Sequence, residues 1–119
     1  MYREVVMIIE KVILDYLNAN IDGVTAYTER PKNLPKRFIL IQKTGGGLEN
    51  KIKSSTVAVQ SYAESLFEAA ALNEVVKDVM LEIDSLYEIG SVRLNSDYNY
   101  TDGSTKQYRY QAVFDLKHY

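Results

Sequence analysis

The C-terminal segment Lys106–Lys117 alternates apolar and polar side chains, and this pattern limits the possible folds more than any other feature of the chain. A period of two is typical of a β-strand with one covered face and one face open to water. Such a strand needs a second layer of structure to cover its apolar side. Only Val113 departs from the alternation. The apolar side is formed by Tyr108, Tyr110, Ala112, Phe114 and Leu116, and the polar side by Gln107, Arg109, Gln111, Asp115 and Lys117.

Two segments carry apolar residues at spacings of three and four and are predicted to be the helices of that second layer. The first covers residues 3–19 and ends at turn-forming residues that begin at Asn18. The second covers residues 65–84, where Ser65 followed by Glu68 forms the capping box typical of a helix start. We expect both helices to bury their apolar stripes against one sheet.

Four further segments are predicted to be strands, and the segments between them to be turns or loops. The strands are residues 24–28, 38–43, 54–62 and 92–100, which precede the C-terminal strand. The order is therefore α-β-β-β-α-β-β, with no repeat and no linker. The sequence predicts a single α+β domain of residues 1–119, with a mainly antiparallel sheet of four to five strands and two helices packed on one face.

Residues 44–53 are predicted to be a flexible loop, because Gly45, Gly46 and Gly47 leave the backbone a wide choice of conformations. Residues 101–105 are rich in turn-forming side chains and have the length of a hairpin loop. Loops carried by a rigid sheet are common sites of binding, so both segments are candidates for contact with a partner.

The composition excludes several functional classes. The chain has 119 residues, no Cys and one His, which rules out disulfides, thiolate zinc sites and cysteine nucleophiles. We expect no metal and no cofactor. His118 lies next to the end of the chain, where we expect loose structure, and has no acidic residue at a spacing that indicates a triad. The sequence therefore predicts no catalytic residues and no enzyme.

The charges and the N-terminus indicate the surroundings of the protein. The net charge is −2, which argues against duplex DNA as a specific ligand, because such binding needs clustered cations. Charged residues interrupt the apolar residues of the N-terminus, so no signal peptide and no membrane span is predicted. Ten of the thirteen aromatic residues are Tyr, an amphipathic residue suited to protein–protein contacts. We expect a soluble cytosolic protein that binds other proteins.

Two clusters of opposite charge are candidates for an interface. The basic cluster is Arg30, Lys32, Lys36 and Arg37, in a segment stiffened by Pro31 and Pro35. The acidic cluster is Glu74, Asp78 and Glu82, spaced four residues apart along the second predicted helix. A head-to-tail ring needs two different and complementary patches on each subunit. The alternatives are ordinary solvated surface or, for the carboxylates, acid–base chemistry or a divalent ion.

The middle of the chain resembles a known protein family. The residues Pro31-x-x-x-Pro35-x-Arg37-Phe38-Ile39-x-Ile41-x-Lys43-Thr44-Gly45-Gly46-Gly47 form the similar pattern. Three later segments continue the resemblance, and they are Thr56 to Tyr62, Glu68-Ala69-Ala70-Ala71-Leu72 and Tyr108-Arg109-Tyr110-Gln111-Ala112. The pattern, over about 90 residues, is similar to that of the small tail-terminator (tail-completion, head–tail joining) proteins of long-tailed bacteriophages and prophages.

The resemblance implies a structural role. Members of that family form hexameric rings that cap the completed tail tube, stop its growth and offer a surface to the head connector. The implied partners are further copies of the chain, the major tail tube protein and the connector, and DNA would pass through the ring without being bound specifically. The implied location is the tail–neck junction of a virion assembled in bacterial cytoplasm. By the same resemblance, contacts to the tube or connector fall in residues 44–53 and 97–106, which include Gly45, Gly46, Gly47, Leu48, Lys51, Tyr98, Tyr100 and Asp102.

Two alternatives remain open at this point. One is another neck component, such as a head-closure or adaptor protein, or a minor tail protein, because these share size and ring-forming habit. The other is a small ligand-binding domain or enzyme that works through Glu74, Asp78 and the tyrosines. The second alternative predicts a concave pocket on which these polar groups converge.

Overall fold

A five-stranded sheet forms the centre of the molecule in the computed structural model, which describes residues 7–119. The strands are β1 (Thr25–Tyr27), β2 (Phe38–Glu49), β3 (Ile52–Ala63), β4 (Ile89–Asn99) and β5 (Tyr108–His118). Their order across the sheet is β1-β2-β3-β5-β4. The short β1 is parallel to β2, and all other neighbours are antiparallel. It follows that β2 and β4, which lie on opposite sides of the sheet, run in opposite directions.

Two helices cover one face of this sheet and form the core with it. They are α1 (Ile9–Asn20) and α2 (Leu66–Met80), and a short 3₁₀ turn, Ile83–Ser85, follows α2. The core joins Ile13 and Leu17 of α1, Val76 of α2, and alternate residues of the sheet such as Val57 and Phe114. The predicted α+β class, element order and single helical layer are confirmed. We call the covered side the helix face and the other side the open face.

The alternation in the C-terminal strand is confirmed where the helices cover it. Ala112, Phe114 and Leu116 of β5 are fully buried under the helical layer. Tyr108 and Tyr110, nearer the start of the strand, are only half-buried. β5 lies between β3 and β4, so it forms backbone hydrogen bonds on both sides. The alternating strand is therefore an interior strand of the sheet.

The glycine-rich segment is not a loop, contrary to the prediction. β2 continues through Gly45, Gly46 and Gly47 to Glu49, and β3 starts at Ile52. The turn between them consists of Asn50 and Lys51, both with positive φ (51° and 66°), as the tightest hairpin turns require. Pairing with Ser54, Ser55 and Thr56 of β3 holds the glycines extended. The long ladder outweighs the low strand propensity of glycine.

The helices are shorter than predicted. α1 begins at Ile9 rather than residue 3, because Ile8 has an extended backbone; positions 3–6 lie outside the described residues. α2 begins as predicted, since the Ser65 side chain accepts a hydrogen bond from the Glu68 amide. It ends at Met80 rather than at residue 84. The acidic residues that follow Met80 are unfavourable at the negative end of a helix dipole, which favours the early stop.

The last two strands differ slightly from their predicted limits. β4 begins three residues earlier than predicted, at Ile89, and contains register shifts between Ile89 and Ser91 and between Leu94 and Ser96. β5 begins at Tyr108, because Lys106 has a positive φ of 54° and belongs to the loop. The loop thus falls at residues 100–107, and Asp97, Tyr98 and Asn99 belong to β4 rather than to a contact loop.

The two hairpins point to opposite ends of the sheet. Tyr62 and Ala63 pair with Phe38 and Tyr108 at one end, which we call the upper end. Glu49, Ile52, His118 and Ile89 mark the other, lower end. The hairpin of β2 and β3, which we call the glycine hairpin, turns at the lower end. The loop of residues 100–107 between β4 and β5, which we call the tyrosine loop, lies at the upper end.

Candidate functional site

The basic cluster lies on the loop of residues 28–37, which returns the chain from β1 to the upper end of the sheet. All four cations of the cluster are exposed. The Arg30 guanidinium carbon lies 5.7 Å from the centre of the Tyr62 ring, so Arg30 contacts the aromatic surface of the sheet. Among residues 7–119, none of the four cations forms a salt bridge. The positive charge of this loop is therefore available to another molecule.

The acidic cluster is only partly as predicted. Glu74 and Asp78 are exposed on α2, but Glu82 lies beyond the end of the helix, with φ −106° and ψ 6°. The predicted line of three carboxylates on one helix face is therefore wrong at Glu82. The early helix end at Met80 is the physical reason.

A lysine neutralises part of the acidic cluster. The Lys77 ammonium lies 2.8 Å from Glu74 and 3.3 Å from Asp97 of β4. Its side chain is only 15% exposed, and the hydrogen bond to Glu74 is the main reason that its pKa is raised. This grouping ties α2 to β4 and leaves Asp78 and Glu82 as the carboxylates of the cluster without an ion pair in the described part of the chain.

The two charged clusters do not neutralise each other within the chain. The basic loop is at the upper end of the sheet. α2 starts at that end, after β3, and runs towards the lower end, so Asp78 and Glu82 follow in its second half and beyond. No salt bridge among the described residues joins the clusters. The chain therefore carries a positive and a negative surface at different places.

A hydrogen-bonded network on the open face was not predicted from the sequence. The Tyr62 hydroxyl donates to Gln60 (2.8 Å), the Gln60 amide donates to Gln111 (2.8 Å), and the Gln111 amide donates to the Tyr98 hydroxyl (2.6 Å). Arg109 donates to the Tyr62 hydroxyl at 3.0 Å. The alternation had placed Gln111 and Arg109 on the polar side, but the β3–β5 register that brings them to Gln60 and Tyr62 is not visible in the sequence.

Aromatic stacking extends this network to the upper end. The Tyr62 ring stacks on Phe38 with centroids 4.4 Å apart and planes 7° apart. The Arg109 guanidinium lies 4.5 Å from the centre of the Tyr100 ring and donates to the Tyr100 carbonyl at 2.6 Å. Tyr98 and Tyr100 form an edge-to-face pair and remain more than 40% exposed. These two tyrosines form a rigid, partly apolar surface suited to protein contact.

The tyrosine loop is held by its own side chains. The Asp102 carboxylate accepts hydrogen bonds from the Ser104 amide (3.0 Å) and hydroxyl (2.7 Å), and these bonds lower the pKa of Asp102. The Asn99 side chain accepts from the Thr101 amide. The predicted contact residues Tyr100 and Asp102 are therefore in an ordered loop, whereas Leu48 and Lys51 lie at the far tip of the glycine hairpin.

His118 is not in a loose chain end, contrary to the expectation. It is the last residue of β5 and only 4% exposed. Its Nε2 lies 2.7 Å from the Ser55 hydroxyl. Burial, followed by the nearby cations Lys43 and Lys53, lowers the pKa of His118. A serine–histidine pair resembles part of a catalytic dyad, but both side chains are buried in the folded chain.

The surface grooves do not bring the candidate catalytic groups together. One groove has a volume of about 670 Å³. It lies between the start of α1 and the lower end of the sheet, beside Tyr87 and Tyr119. Neither Glu74 nor Asp78 lines this groove or any of three others on the described surface. The Tyr98 hydroxyl belongs to the network on the open face, whereas α2 covers the helix face. Tyr98 and Tyr100 therefore do not converge with Glu74 and Asp78.

Comparisons with known proteins add no identification. The sequence matches no protein-family model and no curated protein. Within residues 7–119, no three His, Asp or Glu side chains are grouped so that they could hold a metal ion. Both α1 and α2 are too short and too polar to cross a lipid bilayer as helices.

Proposed function

We propose that this chain is a structural protein of the bacteriophage neck, a tail terminator. In this proposal it forms a homohexameric ring on the end of the tail tube, stops the growth of the tube and offers a joining surface to the head connector. Its location is the tail–neck junction of the virion, and assembly takes place in the bacterial cytoplasm. The similarity of residues 31–47 and of the later segments to tail terminators supplies the family.

The single observation that carries the ring is the separation of the two charged clusters. Arg30 and Arg37 on one side, and Asp78 and Glu82 on another, form no salt bridge within the described chain. Complementary patches at different places on one subunit favour head-to-tail contact, and head-to-tail contacts close into rings when the rotation between subunits is a simple fraction of a turn. The predicted interface set of Arg30, Lys32, Lys36, Arg37, Glu74, Asp78 and Glu82 remains the proposal, with Glu74 weakened by its pairing with Lys77.

The two ends of the sheet support a joining role. A ring between a tube and a connector must present two different surfaces. The glycine hairpin tip carries Leu48 and Ile52, exposed apolar side chains, at the lower end. The upper end carries Tyr100 and the basic loop. The two ends therefore differ in chemistry, as binding to two different partners requires. With a net charge of −2, a ring of this chain would let DNA pass without gripping it.

The assembly is tested by native mass spectrometry over a range of protein concentrations. We expect a closed hexamer that is lost when Arg30 and Arg37 are both replaced by Glu. The matched control replaces Lys11 and Lys106 by Glu, which makes the same change in net charge at exposed positions outside both charged clusters. A hexamer that persists in the Arg30→Glu/Arg37→Glu variant would show that the basic loop is not part of the interface.

The terminator role itself is tested with the tail tube protein encoded in the same phage genome. We expect co-assembly to yield capped tubes that no longer elongate when more tube subunits are added, with electron microscopy as the measurement. A ring that forms but does not stop elongation would favour another neck component, such as a head-closure or adaptor protein. A monomer at every concentration, with no effect on tubes, would remove the proposal.

A further inference from the structure

The sheet has two long free edges within the described chain. β1 pairs only with Phe38, Ile39 and Leu40 of β2, so the outer side of β2 from Ile41 to Glu49 has no neighbouring strand. On the other side of the sheet, β4 pairs with β5 alone. Backbone amides and carbonyls on a free edge form hydrogen bonds with any strand that lies alongside them.

The free part of β2 and the strand β4 lie at the same height in the sheet. The strand pairings align Ile41 of β2 with Val59 of β3, Val59 with Ala112 of β5, and Ala112 with Asp97 of β4. At the lower end, Leu48 is level with Lys53, then His118, then Ile89 of β4. The free segment 41–48 therefore spans the same height as residues 89–97. This agreement means that a neighbouring copy needs no shift along the strands to bring its β4 beside β2.

The regular parts of the two edges also coincide. The glycines Gly45, Gly46 and Gly47 are level with Arg93, Val92 and Ser91 respectively. Residues 91–94 lie between the two register shifts of β4, and residues 45–49 follow the single shift of β2. Shifts of this kind normally discourage pairing at an edge, so the stretches free of them are the places where a strand can add. Glycine leaves a close approach by another backbone unobstructed.

The directions of the strands fit as well. β4 runs opposite to β2, so a copy rotated about an axis roughly along the strands places its β4 antiparallel to β2 of the first copy. Antiparallel pairing is the more stable form. When the strands run roughly along the ring axis, a contact without a shift along the strands favours a closed ring over an open helical filament.

We infer that a second copy of this chain occupies the free edge of β2, and that residues 45–47 of one subunit pair with residues 91–93 of the next. This inference rests on the proposed ring and specifies its contact: one continuous sheet passes from subunit to subunit. The backbone of residues 45–47 then forms the interface hydrogen bonds with the strand of the neighbouring subunit.

Cysteine cross-linking tests this register, because the chain has no cysteine of its own. The variant Gly47→Cys/Ser91→Cys places thiols at level, exposed positions. A Cβ at Gly47 meets only the Ser54 hydroxyl, at 3.1 Å, and that side chain can rotate away. Under mild oxidation we expect a ladder of covalent multimers on denaturing gels, which ends at the number of subunits in the ring.

Three controls separate this contact from others. The single variants Gly47→Cys and Ser91→Cys should stay monomeric on denaturing gels, and their mixture should stop at dimers. A single Gly47→Cys variant that forms dimers would indicate pairing of β2 with β2 and overturn the inference. The variant Leu48→Cys/Ser91→Cys puts the two thiols on opposite faces of the proposed sheet, and it should not form the ladder. A second level pair, Gly45→Cys/Arg93→Cys, serves if the first variant does not fold.

Native mass spectrometry without oxidant distinguishes the failure of this inference from the failure of the ring. A closed oligomer whose double-cysteine variants do not cross-link would overturn the edge pairing and leave the ring in place. Open-ended multimers that do cross-link would support the edge pairing and contradict the closed ring. A chain that stays monomeric in both measurements would overturn both.

Discussion

The two hairpins of this protein keep their shapes by different means. The glycine hairpin is regular almost to its tip, and the backbone ladder between β2 and β3 holds it there. The tyrosine loop has little ladder; the side chains of Asn99 and Asp102, which accept hydrogen bonds, and of Arg109, which donates one, hold it. The comparison teaches that the segment with the fewest side chains is not the least ordered one. It also means that the two hairpins respond to different kinds of mutation.

The largest expected effect is at Arg109, which connects the tyrosine loop to the sheet. Arg109→Leu removes the hydrogen bonds to the Tyr100 carbonyl and the Tyr62 hydroxyl, and the contact with the Tyr100 ring. We expect a loss of about 2–3 kcal/mol in the free energy of unfolding, because both bonds involve a charged donor. Urea unfolding measures this loss, and hydrogen exchange should become faster in residues 100–107 only.

The matched control is Arg93→Leu in β4. Arg93 pairs with the Asp115 carboxylate, but its side chain is 78% exposed, so we expect a loss of less than about 1 kcal/mol in the free energy of unfolding. Equal losses for the two variants would contradict the idea that side chains hold the tyrosine loop.

The next effect concerns the length of the glycine segment. The ladder of β2 contains one extra residue at Thr44, between the pairs Lys43–Val57 and Gly45–Thr56. Deletion of a single residue within 44–47 removes this irregularity and keeps the register of the tip. Deletion of two residues shifts the register by one residue, because β2 contains only this one extra residue. Leu48 then moves to the other face of the sheet and the strand pairs at the tip are lost.

We therefore expect a loss of about 1–2 kcal/mol for the deletion of two glycines, as a few ladder hydrogen bonds disappear. Deletion of one glycine should cost clearly less. Unfolding free energies and amide protection in residues 47–53 measure the difference. If the two deletions behave alike, the backbone ladder does not hold this hairpin.

A smaller effect is the pH dependence at His118, which lies beside the tip of the glycine hairpin. The pKa of His118 in the folded protein is lowered from its ordinary value of 6.5, chiefly by burial. As the pH falls below about 6.5, the unfolded chain binds the proton before the folded chain does. Stability is therefore fully present above that pH and declines as the pH falls towards the lowered pKa.

Urea unfolding at pH 7.5 and pH 5.5 checks this decline, with His118→Gln as the control that should be flat over the same range. Carboxyl groups change the stability at lower pH. Hydrogen bonds from Asn95, Thr56 and Arg93 lower the pKa of Asp115, so its contribution is lost only as the pH falls below its ordinary value of 3.8. A decline of the same size in His118→Gln would assign the effect to another group.

The smallest effect is at the turn of the glycine hairpin, and it is stabilising. Lys51 has a φ of 66°, which glycine adopts without strain. Lys51→Gly creates an Asn-Gly turn, and we expect a gain of about 0.5–1 kcal/mol in the free energy of unfolding. Lys53→Gly, two residues later in β3, should instead be destabilising. Thermal unfolding of the two variants measures the sign of each change.

The sequence predicted those parts of the fold that depend on local pattern. The start of α2 at Ser65 follows from a capping box, and the buried residues of β5 follow from alternation. The extended glycine segment could not be predicted, because its strand conformation comes from pairing with Ser54–Thr56 and not from its own propensity.

The candidate site was predictable in composition but not in arrangement. The charged clusters are visible as residue types in the sequence. The end of α2 at Met80, which removes Glu82 from the helix, depends on packing of the following 3₁₀ turn. The network from Tyr62 to Tyr98 depends on the register between strands 51 residues apart, at Gln60 and Gln111. The register leaves no local signal in the sequence, whereas the acidic residues that follow Met80 are a weak local signal for the helix end.

The position of β5 has a consequence for how the chain folds during synthesis. β5 is the last strand to leave the ribosome, yet it lies between β3 and β4 and supplies Phe114 and Leu116 to the core. Until it emerges, β4 has no partner strand and β3 has one open side. The sheet therefore completes only after β5 has left the ribosome, through contacts that are distant in the chain and slow to form. A chain cut short before β5 would lack the strand that joins β3 to β4, and its two unsatisfied strand edges would make it a target for chaperones and proteases.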